Sequence, residues 1–204
     1  MSEEHGSGKL FGPSAVATPA NALSMARVVA APVLAVLIGA SHPSWSWLLW
    51  SLWTVLAGSD GLDGHLARRQ GATRSGAFLD PLADKVLVLA ALAALAGIGY
   101  VSWLPVALIA VREIAMSAFR VYAGRRAVSV PARPLAKAKT LVQDLAIGFA
   151  LFPPTGPHPG AARVILWVAV AFTLATGVEY FVDGRRMLRA TPAVPGRVAR
   201  GPVA

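Results

Sequence analysis

The sequence has 204 residues, of which 55% are hydrophobic and only 14% charged, and its mean hydropathy is +0.58. Roughly a quarter of the residues in a soluble domain are charged, so this composition excludes an ordinary soluble domain and is typical of a polytopic membrane protein. The chain contains no cysteine, which excludes disulfides and thiolate metal sites. The net charge of +9 would suit nucleic acid, but we expect no such partner because membrane topology accounts for the excess of arginine.

Six stretches are apolar and long enough to cross a hydrocarbon layer of about 30 Å. We therefore predict an all-α membrane domain over residues 21–190, with spans at 22–40, 44–66, 76–99, 102–124, 135–153 and 161–183. The first span has no basic segment before it, so we expect it to be retained rather than removed as a signal peptide. Residues 1–20 are expected to form a flexible or interfacial segment, and residues 191–204 a disordered basic tail.

Basic residues are distributed unevenly between the two ends of the predicted spans. The connections 41–44, 100–102 and 153–160 contain no Lys or Arg, and of the 19 basic residues Arg163 alone falls on their side. The other connections and the C-terminal segment are rich in arginine. By the positive-inside tendency, we predict a multi-pass protein of the cell membrane with both termini in the cytoplasm.

Four of the 10 acidic residues lie within residues 59–85. Asp60 and Asp63 are three residues apart and Asp80 and Asp84 are four apart, so each pair occupies one helix face. The segment between the pairs is short, which makes the two helices antiparallel neighbours whose Asp pairs can face each other. Carboxylates at membrane depth are costly, and their oxygens are the ligands that Mg²⁺, Mn²⁺ and Ca²⁺ prefer. We therefore predict a site for two divalent cations at the cytoplasmic ends of these spans.

Small and basic residues share the first Asp face. Gly64 and Ala67 leave room for a ligand to approach, and Arg68 is placed to bind a phosphate. Beside paired metal ions, this combination suits a pyrophosphate group. The alternative is a set of solvated interfacial acids balanced by neighbouring Arg and Lys. Four carboxylates on two matching faces favour the functional interpretation, because intramembrane ionisable groups are expensive.

The stretch "DGLDGHLARRQGATRSGAFLDPLAD" resembles the signature of the CDP-alcohol phosphatidyltransferases, Asp-x2-Asp-Gly-x2-Ala-Arg followed by a spacer and Gly-x3-Asp-x3-Asp. The spacer between Arg68 and Gly76 is shorter than is usual in that family. The resemblance implies a CDP-diacylglycerol donor, two Mg²⁺ or Mn²⁺ ions and a homodimer. The residues at the fixed positions are Asp60, Asp63, Gly64, Ala67, Arg68, Gly76, Asp80 and Asp84.

The same resemblance implies roles for individual residues. Asp84 would act as the general base that removes the proton from the acceptor hydroxyl. Asn21 and Arg27 are expected either to touch the nucleotide of CDP-diacylglycerol or to cap the first helix. The metal ligands that the resemblance implies are Asp60, Asp63, Asp80 and Asp84. The nucleotide contacts that it implies are Gly64, Ala67, Arg68, Thr73 and Gly76.

Three further segments are similar to the phosphatidylglycerophosphate synthases within that family. They are "NALSMARVVAAPVL" at 21–34, "VREIAMSAFR" at 111–120 and "KAKTLVQ" at 137–143. This similarity implies sn-glycerol 3-phosphate as the acceptor and phosphatidylglycerol phosphate as the product. Other acceptors used within the family remain open, namely phosphatidylglycerol, inositol phosphate and serine.

A phosphorylated acceptor is an anion, and cations are placed to receive it. Arg112 lies deep in an otherwise apolar span. The competing interpretation is that Arg112 pairs with Glu113 or Asp144 to hold helices together. Adjacent residues diverge by about 100° around a helix, so we expect Arg112 and Glu113 to make a poor pair. The residues that we predict to bind the acceptor phosphate are Arg112, Lys137, Lys139 and Arg120.

Two other classes of membrane protein also carry acidic residues. Intramembrane prenyltransferases bind a diphosphate through Mg²⁺ and Asp, but they use two separate Asp motifs, whereas this chain has one compact block. A cation transporter or channel would need acids along the depth of several spans, whereas the four Asp are gathered at one level. Both alternatives are therefore disfavoured.

Overall fold

The computed structural model of the chain describes residues 19–41, 45–70, 76–125 and 134–190. Within these ranges the chain is helical and contains no strand, which confirms the predicted all-α class. Most of the predicted N-terminal segment and the whole predicted tail lie outside the described residues. The six helices of the described ranges are α1 (Pro19–Ala40), α2 (Trp47–Gln70), α3 (Gly76–Gly97), α4 (Trp103–Arg125), α5 (Pro134–Leu151) and α6 (Pro159–Ala190).

Each predicted span corresponds to one helix, and the predicted and observed starts differ by a few residues at most. Two helices continue well past their predicted ends. α2 reaches Gln70 and α6 reaches Ala190, beyond the predicted limits of 66 and 183. Five of the eleven extra residues are Arg, which favours helix but not the hydrocarbon layer. The limit of the apolar run therefore does not mark the end of the helix.

The helices pack around α3, which contacts α1, α2, α4 and α5. Leu87, Ala91 and Leu95 of α3 are buried at four-residue intervals, which places them on one helix face. Ala31 and Leu34 of α1 belong to the same buried cluster. α6 packs against α4 and α5 on the other side of the bundle. α3, α4 and α5 therefore enclose the interior in which the polar residues described below are found.

Two of the described helical segments are long and apolar enough to cross a membrane, Ala22–Ala40 and Pro159–Glu179. Large apolar side chains are exposed along both, such as Val33 and Val36 on α1 and Val164 on α6. A shorter apolar segment, Trp47–Ser59, lies in α2. The arrangement of six membrane spans remains a prediction.

The end of the bundle opposite the Asp stretch is closed by Tyr100. Its hydroxyl donates to the carbonyl of Gly156 at 2.9 Å, and its own carbonyl accepts from Nε of Arg163 at 2.9 Å. The ring of Trp45 packs against the Tyr100 ring at a centroid distance of 6.3 Å. Gly156 is confined, since a Cβ added to it would lie 2.4 Å from the Cβ of Trp45. These contacts join the connection between α3 and α4 to the connection between α5 and α6.

Candidate active site

The two predicted Asp pairs lie at the same end of the bundle. Asp60 and Asp63 are in the C-terminal half of α2, and Asp80 and Asp84 are in the N-terminal half of α3. Residues 71–75 alone separate the two helices, which contact each other. Five residues span at most roughly 18 Å, so the chain keeps these helix halves close together.

The Asp stretch offers carboxylate oxygens as donors to a metal ion. Among the side chains that the structure describes, no three His, Asp or Glu lie close enough to hold a metal ion. The side chains of Asp60, Asp63 and Asp80 are not among them, whereas that of Asp84 is. Four carboxylates on two adjoining helix ends match the oxygen ligands that Mg²⁺ and Mn²⁺ prefer. The residue types and their backbone positions therefore fit a divalent-cation site.

A cavity of about 220 Å³ lies between α3, α4 and α5, at the same end of the bundle as the Asp pairs. Its wall combines apolar residues with Thr140 and Gln143 of α5. Four of the charged residues on the wall are cationic and two are anionic, so the described lining carries a net positive charge of two. The charged residues are Asp84, Lys85, Arg112, Glu113, Arg120 and Lys139. Such a cavity is suited to an anion.

Glu113 is the centre of the charged cluster. Its side chain is 4% exposed, and its carboxylate forms ion pairs with Lys139, with Arg112 at 3.0 Å and with Lys85 at 3.6 Å. Lys85 is also in contact with the hydroxyl of Ser117 at 2.5 Å. The expectation that Arg112 and Glu113 make a poor pair is wrong. Their Cβ atoms diverge around α4, but the long guanidinium arm curves back to the neighbouring carboxylate.

Arg112 also joins α4 to α6. Its Nε donates to the carbonyl of Thr173 at 3.1 Å, and its Nη2 donates to the hydroxyl of Thr176 at 3.0 Å. Gly177 permits this approach, since a Cβ added there would lie 3.4 Å from the Arg112 side chain. Gln143 of α5 donates to the Thr173 hydroxyl at 3.0 Å, which adds α5 to the network. Arg112 therefore has the helix-tying contacts of the competing interpretation while it lines the cavity.

A guanidinium carries five N–H donors. In the described part of the chain, Arg112 uses three of them, one each toward Glu113, Thr173 and Thr176. The other two donors form no hydrogen bond among the described residues, and Arg112 lines the cavity. The structural and binding roles of Arg112 are therefore compatible.

The structure describes the side chains of two of the other predicted phosphate-binding residues and only the backbone of the third. Lys139 and Arg120 line the same cavity as Arg112, and Lys139 is 6% exposed. Lys137 lies in the first turn of α5, and its side chain is outside the described part of the structure. The structure thus brings together three of the four predicted cations.

For most of the predicted nucleotide-binding residues, the structure describes the backbone but not the side chain. Arg27 is 1% exposed on α1. α1 begins at Pro19, so the backbone of Asn21 lies in the first turn of the helix and Arg27 lies further inside it. Thr73 lies outside the described residues. The residues with a helical backbone but undescribed side chains are Asn21, Gly64, Ala67, Arg68 and Gly76.

Comparison of the sequence with models of protein families identifies the family of this chain. The model of the CDP-alcohol phosphatidyltransferase family matches residues 17–175, a range that contains both Asp pairs and the whole charged cavity. The chain belongs to this family. The resemblance drawn from the spacing of the Asp pairs is thereby confirmed.

Individual relatives of the chain carry names that are more specific than the name of the family. A protein of Mycobacterium tuberculosis named as a probable phosphatidylglycerophosphate synthase is 38% identical over 190 residues, which cover 91% of this chain and 90% of the relative. A Rickettsia bellii protein named CDP-diacylglycerol–glycerol-3-phosphate 3-phosphatidyltransferase is 35% identical over 167 residues, covering 79% of this chain and 92% of the relative. A Sodalis glossinidius protein of the same name is 39% identical over 151 residues, covering 71% and 82%.

Part of the cavity wall of this CDP-alcohol phosphatidyltransferase is not predicted from the sequence. Lys85 and Gln143 have no role in the predicted site, and Glu113 enters the prediction only as a partner for Arg112. All three are ionisable or amide residues within otherwise apolar helices, which is a signal of function in a membrane protein. Their convergence depends on how α3, α4 and α5 pack together.

Proposed function

We propose that the chain transfers the phosphatidyl group of CDP-diacylglycerol to sn-glycerol 3-phosphate, forming phosphatidylglycerol phosphate and CMP. The observation that carries this proposal is the charged cavity beside Asp84. The net positive charge of two on its described lining complements a dianionic phosphate, and Asp84 is part of its wall. The printed names of the relatives point to the same reaction.

The acceptor would bind with its phosphate toward the cations and its hydroxyl toward Asp84. Arg112, Lys139 and Arg120 would hold the phosphate, together with Lys137 at the start of α5. Asp84 would accept the hydroxyl proton as the acceptor oxygen attacks the β-phosphorus of the donor. The bond between that phosphorus and the oxygen of CMP breaks in the same displacement. The enzyme thus returns to its starting state once Asp84 releases the proton.

The donor would lie over the Asp stretch, at the ends of α2 and α3. Asp60, Asp63, Asp80 and Asp84 would hold two divalent cations, for which Mg²⁺ and Mn²⁺ are both suitable. Bound ions of this kind neutralise the diphosphate and the charge that develops on the leaving CMP. The small residues Gly64, Ala67 and Gly76 would allow the nucleotide to approach the helices closely. Arg68, Thr73, Asn21 and Arg27 complete the proposed contact set.

We also propose that all six helices span the cell membrane, with both termini and the active site facing the cytoplasm. The apolar side chains exposed on α1 and α6 support lipid contact. The cavity residues Asp84, Arg120 and Lys139 lie in the halves of their helices that adjoin the arginine-rich connections. Attachment of cysteine-specific probes to single introduced cysteines in whole cells would test this topology.

A homodimer is part of the proposal on grounds of the family resemblance. Light scattering of the detergent-solubilised protein would test it, with a mass of two chains expected. A mass of one chain would contradict it.

Among the alternative acceptors, serine is disfavoured because it carries no phosphate for the cations to bind. An apolar groove between α3 and α4, which shares Lys85, Glu113 and Arg120 with the cavity, supports phosphatidylglycerol as a second candidate because an apolar groove suits a lipid chain. Release of CMP by the purified enzyme would be measured with each acceptor in turn. We expect turnover with sn-glycerol 3-phosphate. Turnover with phosphatidylglycerol or inositol phosphate instead would overturn the choice of acceptor.

A further inference from the structure

Glu113 is a buried acid with no part in the proposed transfer, yet three cations meet at it. Lys85 comes from α3, Lys139 from α5 and Arg112 from the same helix as Glu113. Its side chain is 4% exposed, and those of its three partners are 19%, 7% and 12% exposed. The carboxylate is thus the common contact of three helices at the wall of one cavity.

Three cations this close repel one another strongly when water is excluded. A buried charge is tolerated only when it is paired, and removal of one partner leaves the others uncompensated. One carboxylate shared by three cations lowers their mutual repulsion and still leaves the cluster net positive. Without it, the cations would turn away from each other, and the cavity would lose the arrangement of charges that an anion requires.

The three cations differ in how much they depend on Glu113. Arg112 is held independently by Thr173 and Thr176 of α6, and Lys85 contacts Ser117. Among the described residues, Lys139 forms a hydrogen bond with the Glu113 carboxylate, and Asp84 is a second anion near its ammonium group. Because that hydrogen bond is to the carboxylate itself, the position of the Lys139 ammonium group should change when the carboxylate is lost.

We propose that Glu113 is a positioning residue of the acceptor site, which holds Lys139, Lys85 and Arg112 together and directed toward the phosphate of the acceptor. This inference rests on the proposed function, because it assumes that the cavity receives a phosphorylated alcohol. It also assigns Lys85 to the site. Glu113 itself does not touch the reacting atoms.

The test compares Glu113→Gln with wild type in detergent micelles containing CDP-diacylglycerol. The substitution keeps the shape of the side chain and removes its charge. We expect the KM for sn-glycerol 3-phosphate to rise about tenfold or more, because pairing with a buried charge is lost. The KM for CDP-diacylglycerol should not change. Glu113→Asp retains the charge on a shorter arm and should restore part of the acceptor affinity.

The matched control is Glu179→Gln, an exposed acid on α6 away from the cavity, which should behave as wild type. An unchanged acceptor KM in Glu113→Gln would overturn the proposal. A lower acceptor KM would also overturn it, since the carboxylate would then be competing with the phosphate. A parallel rise in both KM values would assign Glu113 to overall folding instead. If Glu113→Gln does not fold, Glu113→Asp decides, because an acceptor KM equal to wild type would contradict positioning.

The wild-type enzyme separates this inference from the proposed function. Failure of wild type to use sn-glycerol 3-phosphate would refute the choice of acceptor. The ratio of KM values between variant and wild type would then be measured with the phosphorylated alcohol that wild type does use. An acceptor KM about tenfold higher in the variant than in wild type, with the KM for CDP-diacylglycerol unchanged, would support the role of Glu113 even if the acceptor had been misassigned.

Discussion

Replacement of Arg112 by alanine separates its structural contacts from its contact with the acceptor. The substitution removes hydrogen bonds to Glu113, Thr173 and Thr176. Glu113 keeps Lys85 and Lys139 as partners, and the Thr176 hydroxyl still donates to a carbonyl of α6. We therefore expect the free energy of unfolding to fall by about 2 kcal/mol. This is less than the roughly 3–5 kcal/mol that is lost when a buried charge is left unpaired.

The effect of the same substitution on substrate binding should be confined to the acceptor. Loss of a charge-assisted hydrogen bond costs about 1.5–3 kcal/mol, which corresponds to roughly a ten- to hundredfold rise in KM. Initial rates of CMP release would be measured with each substrate varied in turn. Arg112→Ala should raise the KM for sn-glycerol 3-phosphate and leave the KM for CDP-diacylglycerol unchanged.

The matched control for this experiment is Arg163→Ala. Arg163 also donates to a backbone carbonyl, that of Tyr100, but at the opposite end of the bundle. Its substitution should leave both KM values unchanged. An unaltered acceptor KM in Arg112→Ala, with stability reduced as expected, would leave Arg112 with a helix-tying role alone and refute the binding argument.

Three other predictions concern the base, the metal and the closed end of the bundle. Asp84→Asn should lower kcat by about 10²–10⁴-fold while CDP-diacylglycerol still binds, because a general base is lost; near-normal CMP release would remove Asp84 from that role. Chelation with EDTA should abolish turnover, and Mg²⁺ or Mn²⁺ should restore it; activity that survives exhaustive chelation would contradict the cation site. Gly156→Ala should destabilise the fold by about 1–3 kcal/mol, since the added Cβ overlaps Trp45; a thermal midpoint equal to that of wild type would show that the two connections are looser than they are in the structure.

The helices and the family could be predicted from the sequence because both depend on local patterns. Apolar runs of membrane length predict the six helices found in the described residues, and the spacing of Asp60, Asp63, Asp80 and Asp84 predicts the family. The C-terminal ends of α2 and α6 could not be predicted from the apolar runs. Helix continues through Arg-rich turns that no hydrocarbon layer would accept, so hydropathy and helix propensity diverge there.

The charge cluster was only partly predictable, because it depends on contacts between helices. The sequence predicts Arg112 as a cation deep in an apolar span and Lys139 as a cation near the start of the fifth span, but their shared contact with Glu113 follows from the packing of α4 against its neighbours. The directions of the Cβ atoms alone predict a poor pair between Arg112 and Glu113. Long side chains are not bound by those directions, since several rotatable bonds separate the charge from the helix. The nucleotide contacts remain predictions.

The most direct test of the account compares two acceptors that differ by a phosphate. Purified enzyme would be supplied with CDP-diacylglycerol and either sn-glycerol 3-phosphate or glycerol, and the lipid product would be identified by mass spectrometry. The account predicts phosphatidylglycerol phosphate from the first acceptor and no lipid product from the second, because the cations of the cavity bind the phosphate. Equal use of glycerol would contradict a role for the charged cavity in selecting the acceptor.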